Sequence, residues 1–322
     1  MTIIKKVLVT GGAGFIGREI VTQLLKKDYK VIVVDKKPES SMKDLKYKRF
    51  KYYQFDLTKE KSLRKIMGGI NFCIHLASES GGIGFLRKNP ATIISNNAKM
   101  YNNVFTAATE EKIQRVVFIS SSMVFEMATK FPSREADLKK IYIPQSAYSL
   151  SKLMGESYCR GFYEQYGLEY TICRPSNVYG FNRGLIKGAG QLHVIPDLVR
   201  KIISFQYPLE ILGDGKQTRC FIHVSDIARG IIMAMESKKG INEDFNLTSS
   251  KETSIRDLAK MIFKILRPSV PFKTRLTKGY AIDVKRNLLF NNKAKRLLQW
   301  QPEKVLEKEL PGIVEWFKKT VF

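Results

Sequence analysis

The stretch Thr10-Gly11-Gly12-Ala13-Gly14-Phe15-Ile16-Gly17 constrains this chain more than any other. It follows a β-branched run, Ile3–Thr10, and opens an amphipathic segment, Phe15–Lys27. Its glycines satisfy GxGxxG at Gly12, Gly14 and Gly17, and equally GxxGxxG from Gly11. A strand that turns at once into a helix needs glycine for the turn, for backbone approach to a pyrophosphate, and for close packing of helix on sheet. The phosphates then rest on the positive end of the helix. Asp35 closes the second hydrophobic run, Lys30–Asp35, 18 residues after Gly17. A carboxylate there accepts hydrogen bonds from the adenosine ribose and repels a 2′-phosphate. The sequence predicts NAD in preference to NADP, with Lys36 and Lys37 as the cations able to offset that preference.

Beyond this turn, short β-branched or aromatic runs alternate with longer amphipathic stretches, the pattern of parallel strands joined by crossover helices. Strands are expected at Ile3–Thr10, Lys30–Asp35, Phe50–Phe55, Asn71–Leu76, Arg115–Ser120, Glu169–Arg174 and Asp244–Leu247. Helices are expected at Phe15–Lys27, Lys59–Met67, Thr92–Lys112 and Ser146–Tyr166. The predicted fold is α/β, a Rossmann-type doubly wound parallel sheet. It occupies residues 1–175 and regains 223–248, while 176–322 form mainly a smaller, partly interleaved substrate-binding domain. In that half a glycine-rich stretch, Tyr179–Gly190, precedes helical patterns at Val194–Ser204, Val224–Glu236, Ser254–Leu266 and Leu306–Lys319, with a short strand at Pro208–Leu212.

Fifty-five Lys and Arg against 30 Asp and Glu leave a net charge of +25, so an anionic substrate or partner is expected. The cations are scattered in ones and twos, without an RNP, zinc-finger or basic-region pattern, which favours a solvated lysine-rich surface over a nucleic-acid face. Cys73, Cys159, Cys173 and Cys220 show no CxxC spacing and no histidine at ligand distance, so no metal is expected and the thiols read as reduced core residues. No run approaches the apolar length of a membrane span, and Ile3–Val9 is too short for a signal-peptide core. A cytoplasmic protein with no membrane contact is the expectation.

Tyr148 and Lys152 lie four apart in a predicted helix, on one face. Lowering a phenol from a pKa of about 10 to near 7 takes about 4 kcal/mol of preferential phenolate stabilisation. A neighbouring ammonium and a positive nicotinamide ring supply charges of the right sign. Ser120-Ser121-Ser122 ends the fifth predicted strand, at the sheet edge where parallel α/β proteins place their sites, and a hydroxyl there can bond the oxygen that Tyr148 deprotonates.

These segments, with Arg174-Pro175-Ser176-Asn177-Val178-Tyr179-Gly180 and the run from Gly213 to Val224, resemble in order the NAD-dependent epimerase/dehydratase family of extended short-chain dehydrogenases. The resemblance spans about residues 5 to 300. It implies that Ser121, four residues before Phe125, is the catalytic serine, with Ser122 as substitute. It implies Tyr148 as base and Lys152 as the group that holds the ribose. Gly11, Gly12, Gly14, Phe15, Ile16, Gly17, Asp35, Asp56, Leu57 and Ala77 fall at its cofactor positions. Gly82, Ser121, Ser122, Asn177, Arg219 and Arg286 fall at its positions for a nucleotide diphosphate sugar. For Asp56, bonding an adenine amino group and capping the next helix are equal alternatives. Family members pair the helices at Thr92–Lys112 and Ser146–Tyr166 across a dimer, so a homodimer is expected.

Departures from the pattern narrow the reaction. The 4,6-dehydratases carry a carboxylic acid where this chain has Met123, which disfavours dehydration. Ala77–Phe85 with Asn89-Pro90 resembles the GDP-mannose 3,5-epimerase and GDP-fucose synthase branch, which uses a cysteine and a second base. His193 matches the second base, but Met123 again stands at the cysteine and cannot transfer a proton. His193 reads equally as a catalytic base or as a helix-start residue. A UDP-glucose 4-epimerase-like reaction, inversion of C4 through a 4-keto sugar, needs no carbon base and is the first expectation. A GDP-sugar 3,5-epimerase or epimerase-reductase using His193 is the second, and a non-catalytic nucleotide- or RNA-binding relative the remote one.

Overall fold

The computed structural model describes residues 4–59, 63–181, 192–279 and 284–320. The first half alternates β1 (Lys6–Thr10), α1 (Phe15–Lys26), β2 (Lys30–Asp35), β3 (Phe50–Gln54), α2 (Leu63–Met67), β4 (Phe72–His75), α3 (Ile83–Lys88), α4 (Pro90–Glu110), β5 (Arg115–Ile119), α5 (Ala147–Tyr166) and β6 (Glu169–Pro175). There follow β7 (Asn177–Tyr179), α6 (Val194–Ile203), β8 (Leu209–Leu212), β9 (Thr218–His223), α7 (Val224–Glu236), β10 (Glu243–Leu247), β11 (Glu252–Ser254) and α8 (Ile255–Leu266). The chain ends with β12 (Thr274–Thr277), β13 (Arg286–Asn287), α9 (Asn292–Leu298) and α10 (Leu306–Thr320).

Seven parallel strands form one sheet in the order β10-β6-β5-β4-β1-β2-β3. Its central strands are buried on both faces, as their unbroken apolar runs require. One face carries α1 and α7 over a core that includes Val7, Val33 and Trp300, and the other carries α2, α4 and α5 over Leu8, Phe105 and Phe118. Strand order reverses between β1 and β4, so the crevice beyond their carboxyl ends is where a ligand enters such a sheet. Helix α5 lies unusually close to the sheet: a Cβ at Gly155 would come within 2.1 Å of the Phe118 ring.

The chain leaves this sheet after β6 and returns to it with β10. Between and beyond, β7 and β11 to β13 pair around β9 and β8, and α6, α8 and α10 enclose a third core around Ile195, Ile211, Ile262 and Phe317. Most of the expected elements form within a few residues of their predicted bounds. The helix expected over Lys59–Met67 covers Leu63–Met67, with residues 60–62 outside those described, and the glycine-rich stretch falls largely in the undescribed 182–191. Of the second-half strands, β8 and β10 form where they are expected; the elements without a local signal are α3, α9, β7, β11, β12 and β13. Several of those strands are only two to four residues long and exist through partners far along the chain, as Arg286 does opposite Thr218.

Candidate active site

The glycine turn is shaped to admit a pyrophosphate. Gly11 has a positive φ of 69°, and its N–H bonds the Val34 carbonyl at 2.8 Å. A side chain there would press on the Ala77 amide at 2.8 Å, and one at Gly17 would come within 2.3 Å of the Gly11 carbonyl oxygen. Gly14 caps α1 with no side chain bonded to the first-turn amides, which leaves those donors facing the crevice. Phe15 and Ile16, half-buried, open the helix. Buried Asp35 accepts from the Ala13 amide on Oδ2 and from the Lys37 amide on Oδ1, both at 3.0 Å, and so ties the turn to the end of β2. Each carboxylate oxygen keeps a lone pair for a ribose hydroxyl. Lys36 reaches Glu79 at 3.6 Å, and Lys37 Nζ reaches the Ala13 carbonyl at 3.4 Å. Asp56 Oδ1 accepts from the Thr58 amide and hydroxyl, at 3.0 and 2.8 Å, and so closes the turn after β3 rather than capping α2, which starts at Leu63. Leu57 is buried, and the Ala77 amide lies 3.3 Å from the Thr10 hydroxyl. The donors, the cradle closed to any Cβ and the buried carboxylate fit an adenine dinucleotide.

Beside this crevice β5 ends in Ser120, Ser121 and Ser122, all buried. Ser121 caps the following 3₁₀ turn by accepting from the Met123 amide at 3.1 Å, which fixes its side chain at the strand end. Helix α5 starts where Ser146 caps the Ser149 amide, and Glu126 holds that start by accepting from the Ser146 amide at 2.7 Å and the Ser149 hydroxyl at 2.5 Å. The helix face that results carries Tyr148, with Lys152 one turn on. The Lys152 ammonium donates to the Ile119 carbonyl at 2.9 Å and lies 5.9 Å from the Tyr148 ring centre. Burial pushes Lys152 down to about 7. Burial also raises Tyr148 above its ordinary value, against the opposing pull of a hydrogen bond from Ser121. Sequence reasoning expects a depressed phenol. In the protein alone desolvation wins, because the positive ring that would oppose it belongs to the cofactor.

The expected substrate positions are more dispersed. Gly82 caps α3, and the Ser122 carbonyl accepts from Asn287 at 3.3 Å. Asn177 starts β7, opposite Phe221. Arg219 donates to the carbonyls of Thr218 and Val284 at 2.8 and 2.6 Å, and Arg286, on the adjacent strand, is paired with Glu252 at 2.6 Å and lies over the Phe131 ring. The two arginines stand at neighbouring register positions of β9 and β13. His193 is the residue before α6, and its ring makes no capping bond there. Met123 Sδ is 3.9 Å from the Asn287 amide nitrogen. His75 bonds Thr10 at 2.7 Å and burial drives it down to about 3, while His223 caps α7, so both serve the fold.

Two residues of this region escape sequence reasoning. Asn97, fully buried on α4, accepts from the Glu79 amide at 2.7 Å and donates to Ser151 at 2.9 Å, which fixes the loop after β4 against α5. Glu156, fully buried one turn beyond Lys152, is held by Arg174. The signal for both was a polar residue on the inward stripe of an amphipathic helix. Among the described residues no cluster could hold a metal ion, and no helix is long and apolar enough to cross a membrane. All four cysteines are free and buried.

The doubly wound parallel sheet, with a glycine turn opening onto its crevice, defines a fold of the short-chain dehydrogenase type. The NAD dependent epimerase/dehydratase family model matches residues 7–248, and the chain belongs to that family; its cofactor is NAD. It is 31% identical to a UDP-glucuronate 4-epimerase of Thermodesulfobacterium geofontis, over 98% of this chain and 96% of the relative. The fold superposes on UDP-glucose 4-epimerase of Thermotoga maritima, solved with UDP-glucose, with a TM-score of 0.86 at 29% identity, covering 98% of this chain and all of the other. A UDP-glucuronic acid 4-epimerase of Bacillus cereus, solved with UDP-glucuronic acid and NAD, gives 0.86 at 27% identity, covering 98% and 99%.

Proposed function

We propose that this protein inverts C4 of a nucleotide diphosphate hexose through a transient 4-keto sugar. The observation that carries the reading is the meeting of Ser121, Tyr148 and Lys152 at one strand end beside the glycine turn, with the thioether of Met123 where a dehydratase needs an acid. Bound NAD would supply hydride acceptance from the sugar carbon and its return. Tyr148 takes the hydroxyl proton and later gives it back. Ser121 bonds the same oxygen, and Lys152 holds the ribose and favours the phenolate. Inversion follows when the keto sugar turns over between the two steps. Gly11, Gly12, Gly14, Gly17, Asp35 and Ala77 hold the cofactor, and Gly82, Ser122, Asn177, Arg219 and Arg286 hold the sugar diphosphate. For the arginines this asks Arg286 to share its charge between Glu252 and phosphate.

A second reading keeps His193 as a carbon base for a GDP-sugar 3,5-epimerisation, favoured by the ring's lack of a capping bond. Residues 1–175 with 223–248 act as the cofactor unit in this proposal, and the remainder of 176–322 as the substrate unit. The outer faces of α4 and α5 leave Ile94, Leu150, Tyr163 and Tyr166 exposed, which supports a homodimer through these helices. The setting is cytoplasmic, where reduced thiols and nucleotide sugars coexist.

Incubation with UDP-, GDP- and dTDP-hexoses in deuterated water, read by NMR, tests the proposal. Inversion at C4 without deuterium uptake is expected; deuterium at C3 or C5 transfers the reaction to the His193 route, and an absence of any conversion refutes turnover.

A further inference from the structure

The last residues of β5 meet α5 at three successive turns of the helix. Ser121 faces Tyr148, the Ile119 carbonyl receives Lys152 at 2.9 Å, and the Ser120 hydroxyl donates to Glu156 Oε1 at 2.8 Å. The first two contacts belong to the catalytic set proposed above. The third does not, and it is the most deeply buried: Glu156 has no exposed surface and Ser120 only 2%.

A carboxylate stripped of water is retained only where charge and hydrogen bonds replace hydration. Here Arg174, also fully buried, grips Glu156 through two parallel bonds, Nε to Oε1 and Nη2 to Oε2, each at 2.7 Å. Arg160 adds a contact at 3.2 Å from the next turn of α5. Arg174 Nη2 also reaches Asp244 on β10 at 2.7 Å, and Lys293 of α9 closes the chain onto Asp244 at 2.5 Å. Its planar fork admits little rotation once both nitrogens are bonded. The carboxylate that receives Ser120 is thus fixed by three strands and two helices.

We propose that Glu156 is a positioning residue of the active site: clamped by Arg174, it holds the Ser120 hydroxyl and so fixes the register of the β5 end against α5, which sets Ser121 and the Ile119 carbonyl relative to Tyr148 and Lys152. The proposal rests on the catalytic reading of Tyr148. A displacement of β5 relative to α5 alters both contacts at once, because Ser121 and Ile119 are the immediate neighbours of Ser120. Effects on rate then exceed effects on binding, since the glycine turn and the arginines of β9 and β13 lie on other elements.

The test uses Ser120→Ala, which leaves the Glu156–Arg174 ion pair in place, together with Glu156→Gln and the double variant. Measured are kcat, KM, thermal midpoint and, by ultraviolet difference spectroscopy with NAD bound, the apparent pKa of the phenol that disappears in Tyr148→Phe. Ser120→Ala is expected to lower kcat about tenfold with KM and the thermal midpoint little changed, and to move the Tyr148 pKa by at least about half a unit. The double variant is expected to be no slower than the slower single one, as for residues acting through one bond. Wild-type kcat and phenol pKa in Ser120→Ala overturn the positioning role alone, as does additivity in the double variant. A wild-type protein with no cofactor-dependent phenol signal overturns the base assignment, and this proposal with it.

Discussion

Replacing Lys152 by Met keeps the length and burial of the side chain and removes its charge. The Lys152 nitrogen lies 5.9 Å from the centre of the Tyr148 ring, and only 4% of the residue is exposed. At an effective dielectric constant of about 20, a unit charge at that distance favours the phenolate by about 2.8 kcal/mol, or about two pKa units. Burial brings Lys152 down to about 7, so the amine carries this charge below neutrality and gives it up as the pH rises. A base is lost on the acid side of its pKa, so the acid limb of the kcat profile is expected to move up by about two units. Turnover at pH 7 falls about a hundredfold and recovers as the pH is raised. The fold is not expected to suffer, since a thioether carries none of the desolvation cost that depresses the amine. Steady-state kinetics from pH 6 to 10, with cofactor occupancy checked by absorbance, decide the matter. An acid limb within half a unit of wild type, with NAD retained, refutes the electrostatic coupling.

Two further predictions concern the cofactor turn and the buried ion chain. Gly17→Ala places a Cβ within 2.3 Å of the Gly11 carbonyl oxygen, so NAD affinity measured by calorimetry should fall at least about tenfold, and wild-type affinity would show that the turn can move aside. Burial raises the Asp244 carboxyl, but Arg174 and Lys293 outweigh it and bring the pKa to about 2. A depressed carboxylate contributes stability that is complete above its unfolded value of 3.8 and is lost as pH falls toward 2, here about 2 kcal/mol. Asp244→Asn should therefore lose about that much stability in urea at pH 7 and show a shallower loss between pH 4 and 2, whereas an unchanged acid profile would contradict the pairing.

The sequence by itself determined the parallel sheet, because its central strands are buried on both faces and must be apolar throughout, and α1, α4 and α5 announce themselves between them by apolar positions at helical spacing. It likewise determined the glycine turn with Asp35, and the Tyr148/Lys152 face, since those relations are local: a turn that excludes Cβ, a strand end, and one turn of helix. Tertiary structure decided the rest. Whether Asp56 capped a turn depended on Thr58 taking both of its bonds, and whether Arg219 and Arg286 became neighbours depended on β9 and β13, strands separated by 62 residues and paired across the fold. The direction of the Tyr148 shift was settled by desolvation, a property of everything packed around the phenol. The grip of Arg174 on Glu156 is of the same kind. Each side chain is an ordinary polar residue in its own segment, and only the closing of α5 onto β5 and β6 removes water from both and makes them depend on each other.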